Sequence, residues 1–383
     1  MPLRVDTDFP MANATAVALG DRDGVPEVAF APDPHGGPEC LWFYFRIVRE
    51  GGDLRAGDPV RIVLKYPENM LGGGCPEKLR PVAREAAGDW ERLPQGRRED
   101  LPDGRSRMVW TVAVPADSLE VAVCYPYGHA DLTDLVRETR WYWRVATIGV
   151  SQGGRGILRV ANDPGAPGST RPGFYLIARQ HSGETPGSWV LDGFLRYVAS
   201  HPERAPLVWA VPFANVDGVE LGDYGKDNFP YDLNRAWGDP PMRHETAVIQ
   251  HDLARWKERC RPELGLDFHA PGACEAEGIY AFLPDPGKFP IEHREAERWT
   301  ALIAGALAPD LAAAQVEQVP YYTSRWNTPS FTVHCFEKLQ VPALTVETPY
   351  STCNEVLMTR ELYRQAGGRI AAAVCRAVIE GGG

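Results

Sequence analysis

Short apolar runs separated by clusters of Gly, Pro and Asp fill the first third of the chain. Four of them have the length and the β-branched or aromatic content of strands: residues 41–48, 60–65, 108–114 and 119–125. The piece around Trp90 fits a further strand or its edge, and residues before about Pro38 predict a loose lead-in with one strand. Short strands with turn signals between them indicate an antiparallel β-sandwich domain, which we place over residues 1–135.

The pattern changes beyond a predicted helix at residues 130–140, where strand-like and helical pieces alternate. Strands are predicted at residues 144–150, 157–160, 175–179, 207–211, 265–268 and 343–346. Helices are predicted at residues 187–200, 242–260, 291–307 and 357–379. This alternation predicts an α/β domain over residues 136–383, with a mixed, mostly parallel central sheet flanked by helices.

Length and charge narrow the class of protein. The 383 residues are too many for one ordinary core and fit two domains. A formal net charge of −11 argues against nucleic acid as a partner, because nucleic-acid binding requires a basic surface. No run of about 18 apolar residues is present, so no membrane partner is expected. The sequence gives no indication of oligomeric state.

The N-terminal residues and the cysteines favour a cytoplasmic protein. The first residues lack the basic segment and apolar run of a signal peptide. The eight cysteines occur singly, without a Cys-x-x-Cys pair, which fits reduced thiols better than disulfides or a cysteine zinc site. We expect most of them to be small buried residues.

The predicted strand at residues 175–179 runs into His181 and Glu184, which are three residues apart. Imidazole nitrogen and carboxylate oxygen are common zinc ligands, and a third protein ligand leaves one position for water. The position after a strand favours a site, because open α/β sheets bind ligands at strand ends. Two similar spacings are instead expected on solvated faces: His334/Glu337 and His293/Glu297.

Three further pieces carry side chains suited to such a site. Asp267-Phe-His269 and Glu347 each end a strand-like run, although a buried histidine and an edge carboxylate are the plainer interpretations. The Asp-Leu-Asn-Arg motif at residues 232–235 offers a planar guanidinium suited to a carboxylate, with a structural salt bridge as the alternative. The residues alone indicate a zinc hydrolase with a carboxylate grip.

The order of these pieces resembles that of the zinc carboxypeptidase family. His-x-x-Glu is followed by Asn-x-Asp-Gly, Asp-Leu-Asn-Arg-x-Trp, Asp-x-His and a strand-ending Glu. The resemblance is closer to the cytosolic carboxypeptidase branch, in a bacterial-type member. That branch has signatures similar to four stretches of the first domain: Trp-Phe-Tyr-Phe from Trp42, Tyr-Pro-Glu-Asn-Met from Tyr66, Asp89-Trp90 and Tyr-Pro-Tyr-Gly-His-Ala-Asp-Leu from Tyr125.

The resemblance implies a β-sandwich before a catalytic domain and one Zn²⁺ per chain. His181, Glu184 and His269 match the family's metal ligands, and Asp232 matches a carboxylate that steadies a ligand histidine. These roles come from the motif positions.

The remaining roles implied by the resemblance concern the substrate and the reaction. Asn234 and Arg235 match the pair that binds the terminal carboxylate of a peptide or protein, and Glu347 matches the general base. The mechanism implied is metal-assisted hydrolysis, in which the glutamate takes a proton from water and returns it to the leaving amine.

The chain departs from the family pattern at several positions. The arginine usually found before Asp-Leu-Asn-Arg is missing, and Lys226 is the nearest cation that could take its role. The third ligand is followed by Ala-Pro, where the branch often has Gly-His. Tyr321 or Tyr322 is the candidate for the family's mobile tyrosine. Specificity for glutamate would require a cation in the side-chain pocket, for which Arg325 and Lys338 are candidates.

Three functions remain open from the sequence. The first is a zinc carboxypeptidase acting on peptide or protein C-termini. The second is a zinc amide hydrolase of small N-acyl amino acids, against which the first domain and the Asn-Arg pair argue. The third is a binding protein that keeps the fold without turnover, which the missing arginine favours.

Overall fold

The computed structural model describes residues 3–51, 54–86, 88–228, 230–318 and 327–380. The strands of the first part are β1 Leu3–Asp6, β2 Thr15–Arg22, β3 Val25–Ala31, β4 Tyr44–Arg49, β5 Pro59–Lys65, β6 Val82–Glu85, β7 Glu91–Arg92, β8 Arg97–Asp100, β9 Ser106–Ala113 and β10 Ser118–Ala122. Those that follow are β11 Arg144–Val150, β12 Gly156–Ala161, β13 Pro172–Ala178, β14 Leu207–Val211, β15 Arg261–His269, β16 Ile279–Phe282, β17 Ala312–Gln318, β18 Ala343–Glu347, β19 Thr352–Cys353 and β20 Val356–Leu357. The α-helices are α1 His129–Glu138, α2 Thr185–Ser200, α3 Val216–Leu221, α4 His244–Lys257, α5 Pro290–Leu307, α6 Phe331–His334 and α7 Arg360–Glu380.

Residues 3–122 form two five-stranded sheets. One has the order β1-β4-β10-β6-β7 and is antiparallel throughout. The other has the order β2-β3-β5-β9-β8, in which β3 and β5 are parallel, so the predicted antiparallel arrangement is wrong for this pair. Phe30 of one sheet and Phe45 of the other have ring centroids 4.5 Å apart, so the two sheets share a core.

The N-terminal stretch holds three strands, and the prediction of a loose lead-in with one strand was wrong. The missed signal is clearest in β2, whose sequence Thr-Ala-Val-Ala-Leu-Gly-Asp-Arg is mostly exposed. This strand forms by backbone pairing with β3. Because neither of its faces is deeply buried, no apolar alternation marks it in the sequence.

The second half of the chain is built on an eight-stranded sheet with the order β11-β12-β14-β13-β15-β18-β16-β17. The four central strands, β14, β13, β15 and β18, run parallel, and antiparallel pairs lie on both sides of them. Strand β13 is almost continuously apolar and buried, as expected for a parallel strand covered on both faces. The predicted mixed sheet with flanking helices is confirmed.

The long helices lie at the predicted positions, with their ends shifted by a few residues. Helix α2 begins directly after Glu184 and has Pro186 in its first turn. Proline is tolerated there because the N–H groups of the first turn have no acceptor within the helix. Helices α2 and α7 approach closely at Gly193 and Gly367. A Cβ on either glycine would collide with the backbone of the other helix, so only glycine permits this distance. This packing holds α2 directly behind the His-x-x-Glu loop.

Several short elements carry no periodic signal long enough to predict them. They include α3, α6 and the strands β16 and β17, which extend the sheet beyond β18. The candidates Tyr321, Tyr322 and Arg325 lie outside the described residues.

Polar contacts join the N-terminal part of the chain to loops that follow strands β15 and β18 of the eight-stranded sheet. The guanidinium of Arg92 donates to the carbonyl oxygens of Tyr350 and Met358, at 2.6 and 2.8 Å. The N–H of Ala273 donates to the carbonyl oxygen of Leu71 at 2.8 Å. The loop that follows β15 is therefore anchored by the N-terminal part of the chain.

In the described ranges no helix is both long and apolar enough to cross a membrane. All eight cysteines are free thiols, of which Cys75 is exposed and the other seven are buried. The expectation of unpaired, mostly buried cysteines is thereby confirmed.

Candidate metal centre

Three neighbouring parallel strands bring the predicted site residues to one edge of the eight-stranded sheet. Strand β15 ends at His269 and β18 ends at Glu347, and these two residues are register partners. On the other side of β15, β13 ends at Ala178, so the loop with His181 and Glu184 leaves from the same edge. This edge is where open α/β sheets bind ligands.

His181, Glu184 and His269 form a buried cluster in which one ligand atom of each lies within 4.8 Å of the others. Nδ1 of His181 is 2.8 Å from Oε1 of Glu184, and Nδ1 of His269 is 2.7 Å from Oε2 of the same carboxylate. The two Nδ1 atoms are 3.1 Å apart. Within the part of the chain that the structure describes, this is the one cluster of His, Cys, Asp and Glu suited to a metal ion.

The outer nitrogen of each histidine faces a further carboxylate. Nε2 of His181 lies 3.2 Å from Oδ1 of Asp232, and Nε2 of His269 lies 2.9 Å from Oδ2 of Asp267. An ionised carboxylate only accepts hydrogen bonds, so a neutral imidazole with its proton on Nε2 would donate to this carboxylate and keep the Nδ1 lone pair for a metal ion. The two Nδ1 atoms and the Glu184 oxygens converge on one point, which suits a cation.

The donor set fits a divalent metal ion. Two imidazoles and one carboxylate are a known ligand set of catalytic zinc sites, with a fourth position open. Four buried carboxylates belong to this region: Glu184, Asp232, Asp267 and Glu347. Burial of unbalanced negative charge is strongly unfavourable, and a divalent cation at the point of convergence compensates it.

The pKa values of the cluster reflect the same charges. Burial alone would lower the pKa of His269, but Asp267 and Glu184 outweigh burial and raise this pKa well above its ordinary value. Burial alone would raise the pKa of Glu184, but His181 and His269 hold it well below its usual range. Asp232 behaves in the same way, because His181 overcomes the effect of burial and lowers its pKa. The surroundings therefore favour positive charge at the imidazoles.

The loop with His181 and Glu184 is held by both halves of the protein. Gly183 packs against Trp42 and Tyr224, and its N–H donates to the Tyr224 carbonyl oxygen at 2.9 Å. The Tyr224 hydroxyl lies 3.4 Å from Oε1 of Glu184. The N–H of Ala270 donates to Oε2 of Glu184 at 3.2 Å. Both carboxylate oxygens are thus oriented before any metal binds.

Glu347 lies next to this cluster. Its Oε2 is buried and bonds to none of the residues described by the structure. Burial raises the pKa of Glu347 to about 7, with His269 and Lys226 opposing the shift and Glu184 adding to it. Lys226 is therefore a cation in the neighbourhood of this carboxylate.

Asp232 begins the short 3₁₀ turn Leu233–Arg235 and caps it. Its Oδ1, which faces His181, also accepts a 2.7 Å hydrogen bond from the N–H of Asn234. Its Oδ2 accepts from the N–H of Asp227 at 3.1 Å. Both oxygens of Asp232 are therefore fixed by the backbone of its own loop.

The structure places Asn234 against the cluster and leaves Arg235 more accessible. The Asn234 amide nitrogen lies 3.2 Å from Nε2 of His269, and its oxygen accepts from the N–H of Phe331 at 3.2 Å. The Asn234 side chain is buried. Arg235 is half-buried and donates to the carbonyl oxygen of Asn234 at 2.7 Å.

The two other histidine–glutamate spacings do not form such a cluster among the described residues. His293 and Glu297 form a 3.5 Å contact one turn apart on α5. The solvated position predicted for His334 is wrong, because its ring packs against Trp237 and is 8% exposed. Glu337 is exposed as expected.

The sequence did not predict roles for Asp267 or Gln180, both of which are fully buried behind His269. The role of Asp267 could have been predicted, because it lies two positions before His269 in a strand and such residues point to the same face. No comparable spacing in the sequence indicates a role for Gln180. Lys338, a candidate cation for a side-chain pocket, is half exposed and lies 3.5 Å from Asp239.

Sequence comparison finds cytosolic carboxypeptidases as relatives. Cytosolic carboxypeptidase 6 of Homo sapiens is 32% identical over 277 residues, which cover 66% of this chain and 54% of that protein. Cytosolic carboxypeptidase 2 of Danio rerio is 29% identical over 222 residues, which cover 51% of this chain and 30% of that protein. The chain thus spans about half or less of the length of these curated relatives. No family model matches the chain.

Structural comparison finds bacterial metallo-carboxypeptidases. The metallo-carboxypeptidase of Burkholderia cenocepacia superimposes with a TM-score of 0.78 at 19% identity, covering 99% of this chain and 100% of that one. The metallo-carboxypeptidase of Pseudomonas aeruginosa, solved with (2-guanidinoethylmercapto)succinic acid, has a TM-score of 0.74 at 18% identity, covering 98% and 99%. At these identities the likeness shows the fold, which spans nearly the whole chain.

Proposed function

We propose that this chain, a homologue of cytosolic carboxypeptidases with the metallo-carboxypeptidase fold, is a zinc-dependent carboxypeptidase that removes C-terminal residues from peptides or proteins. The observation that carries the proposal is the position of Glu347 beside the His181–Glu184–His269 cluster at one sheet edge. Three residues suited to a metal ion, with a carboxylate beside them whose Oε2 has no hydrogen-bond partner among the described residues, suit amide hydrolysis.

The three cluster residues are the ligands of the proposed zinc ion, His181 and His269 through Nδ1 and Glu184 through its carboxylate. When bound, the ion supplies a Lewis acid that polarises the scissile carbonyl and lowers the pKa of water to about 7. Asp232 and Asp267 keep the proton of each imidazole on Nε2, so that both Nδ1 atoms stay available to the metal.

Glu347 is the proposed general base. A base works best when its pKa lies near the working pH, and burial brings the pKa of Glu347 to about 7 in the metal-free protein. Its buried Oε2 is committed to no partner among the described residues. The carboxylate takes a proton from the attacking water and returns it to the leaving amine.

Asn234 and Arg235 are the proposed residues for the terminal carboxylate of the substrate. The guanidinium of Arg235 is planar, permanently charged and half-buried, which suits bidentate binding of a carboxylate. Asn234 connects this site to the metal centre, because its amide lies 3.2 Å from His269.

Domain organisation and location are part of the same proposal. We assign residues 1–135 to a β-sandwich domain and residues 136–383 to the catalytic domain, supported by the two separate five-stranded sheets and the eight-stranded sheet. A cytoplasmic location is supported by the free cysteines and by relatives named cytosolic.

The test uses the purified, zinc-loaded chain and three sets of substrates. N-terminally blocked peptides with a free C-terminus should release single C-terminal amino acids, and the same peptides with an amidated C-terminus should react much more slowly. Hydrolysis of N-acyl amino acids in preference to peptides would instead assign a small-molecule amide hydrolase. Zinc binding without hydrolysis of any substrate would assign a binding protein.

A further inference from the structure

A chain of buried hydrogen bonds leads away from the metal centre behind His269. Oδ2 of Asp267, which faces Nε2 of His269, also accepts a 2.6 Å hydrogen bond from Nε2 of Gln180. At the other end of the same amide, Oε1 of Gln180 accepts a 2.7 Å hydrogen bond from the Trp237 indole. All four side chains are at most 2% exposed, so bulk water does not compete for these bonds.

The donors and acceptors of this chain fit together in one direction. An indole N–H only donates, so Gln180 must turn its oxygen towards Trp237 and its NH₂ towards Asp267. The amide therefore meets the carboxylate as a donor, and Oδ2 of Asp267 is held 2.9 Å from Nε2 of His269, where it can accept a hydrogen bond from a protonated Nε2. The indole thus determines the orientation of the amide, and the amide determines that of the carboxylate.

Asp267 depends on Gln180 more than Asp232 depends on any side chain. The backbone N–H groups of Asn234 and Asp227 fix the two oxygens of Asp232. The second oxygen of Asp267, Oδ1, bonds to none of the residues in the described ranges. Without the amide, the carboxylate would be free to rotate away from His269.

Trp237 is itself rigidly held. Its ring packs against Phe331 and His334, with centroid distances of 5.1 and 5.7 Å, and its backbone N–H donates to the carbonyl oxygen of Pro329 at 3.2 Å. It also lies five positions after Asp232 in the same loop. One loop therefore supports His181 directly and His269 through two intermediates.

We infer that Gln180 and Trp237 are positioning residues for the metal centre, which hold Asp267 and through it fix the tautomer and ring orientation of His269. The inference rests on the proposed function, because it takes His269 as a metal ligand. Mutation of a residue that holds a ligand histidine typically weakens metal binding by about 10- to 100-fold. The effect can therefore be measured as zinc affinity, without any assay of turnover.

The first experiment measures the zinc Kd of the full chain by competition with a chelator. Gln180→Met removes both hydrogen bonds at similar size and should raise the Kd about 10-fold or more. Trp237→Phe removes the indole donor together with part of the ring and should raise the Kd by about 3- to 10-fold through loss of the donor. Because Trp237 acts through Gln180, the double variant should be no weaker than Gln180→Met alone, whereas independent structural effects would add.

The second experiment reverses the polarity of the Gln180–Asp267 hydrogen bond. Gln180→Glu places a carboxylate opposite that of Asp267 and should weaken zinc binding, because two acceptors then face each other. The absorption spectrum of the Co²⁺-loaded protein should shift in Gln180→Glu, and an unchanged spectrum would contradict the inference.

Trp256→Phe is the matched control, because Trp256 is fully buried and its indole N–H bonds to none of the described residues. Its zinc Kd should equal that of the parent chain. Unchanged zinc affinity in folded Gln180→Met or Trp237→Phe would overturn the inference. If the position 180 variants fail to fold, Trp237→Phe decides the question alone. A parent chain that binds no zinc would overturn the proposed function itself.

Discussion

Trp42 packs directly against Gly183, one of the two residues between His181 and Glu184 in the His-x-x-Glu loop. A Cβ on Gly183 would come within 2.7 Å of the Trp42 Cβ, closer than such atoms approach in folded proteins. Trp42 belongs to the N-terminal part of the chain and is 1% exposed. The N-terminal part of the chain therefore supports the loop that carries two of the candidate metal ligands.

Gly183→Ala should displace the ligand loop. Its methyl group would also crowd Tyr224, so we expect a loss of about 1–3 kcal/mol in the free energy of unfolding, typical of overpacking, together with weaker zinc binding. Denaturant unfolding and zinc titration measure the two effects. The control is Gly74→Ala, because Gly74 is exposed and a Cβ added to it would meet no atom within 4 Å. Equal behaviour of the two variants would contradict the support role.

Glu347→Gln should strongly slow turnover and leave the metal in place. The amide keeps the shape of the carboxylate but takes no proton, and general-base catalysis contributes about 10²- to 10⁴-fold. We therefore expect kcat to fall by about that factor while zinc content stays at one ion per chain. Elemental analysis and peptide hydrolysis measure both. Full activity of a zinc-loaded Glu347→Gln chain would exclude Glu347 as the base.

Arg235→Ala should weaken the binding of free-acid peptides without loss of zinc. A hydrogen bond to a charged group contributes about 1.5–3 kcal/mol, so kcat/KM should fall roughly 10- to 100-fold. Arg235→Lys should restore only part of this activity, because an ammonium group cannot form the bidentate contact. C-terminally amidated peptides are the control, since their slow cleavage should not change. A parallel loss of zinc would mean that Arg235 supports the metal centre instead.

Cys75 should be the one thiol that reacts in the native protein, because the other seven cysteines are buried. Thiolates are the reactive species, and burial raises the pKa of Cys260 and Cys353 to about 12. A thiol-specific chromogenic reagent should count one fast thiol per native chain and all eight after denaturation. Cys75→Ser should remove the fast phase. A second fast thiol in that variant would contradict the burial of the others.

The candidate metal ligands could be predicted from the sequence because strand ends are visible in it. Residues 265–268 and 343–346 have the apolar character of buried strands, and their parallel pairing puts His269 and Glu347 at one edge. The environment of these side chains is not visible in the same way. The contact of Gln180 with Asp267 spans 87 positions and depends on how β13 and β15 align.

Elements without a buried face are the ones that sequence periodicity misses. Strand β2 pairs through its backbone while most of its side chains stay exposed. His334 shows the opposite case, because it was predicted on a solvated face but is buried against the ring of Trp237, almost 100 positions away. Both depend on tertiary contacts, which local patterns do not record.

Glu99 should make the N-terminal sheets sensitive to acid. Burial alone would raise the pKa of Glu99, but hydrogen bonds from Arg61 and Arg107, aided by the charge of Arg22, lower it from 4.5 to about 2. Because the folded-state pKa is depressed, the stabilisation is fully present above about pH 4.5 and is lost as the pH falls towards 2. Denaturant unfolding of the parent chain across this window should show a falling free energy of unfolding. The fall should be smaller in Glu99→Gln, which has no proton to take up, whereas Glu85→Gln at an exposed position should match the parent. Parallel curves for the parent chain and Glu99→Gln would show that these ion pairs do not govern acid stability.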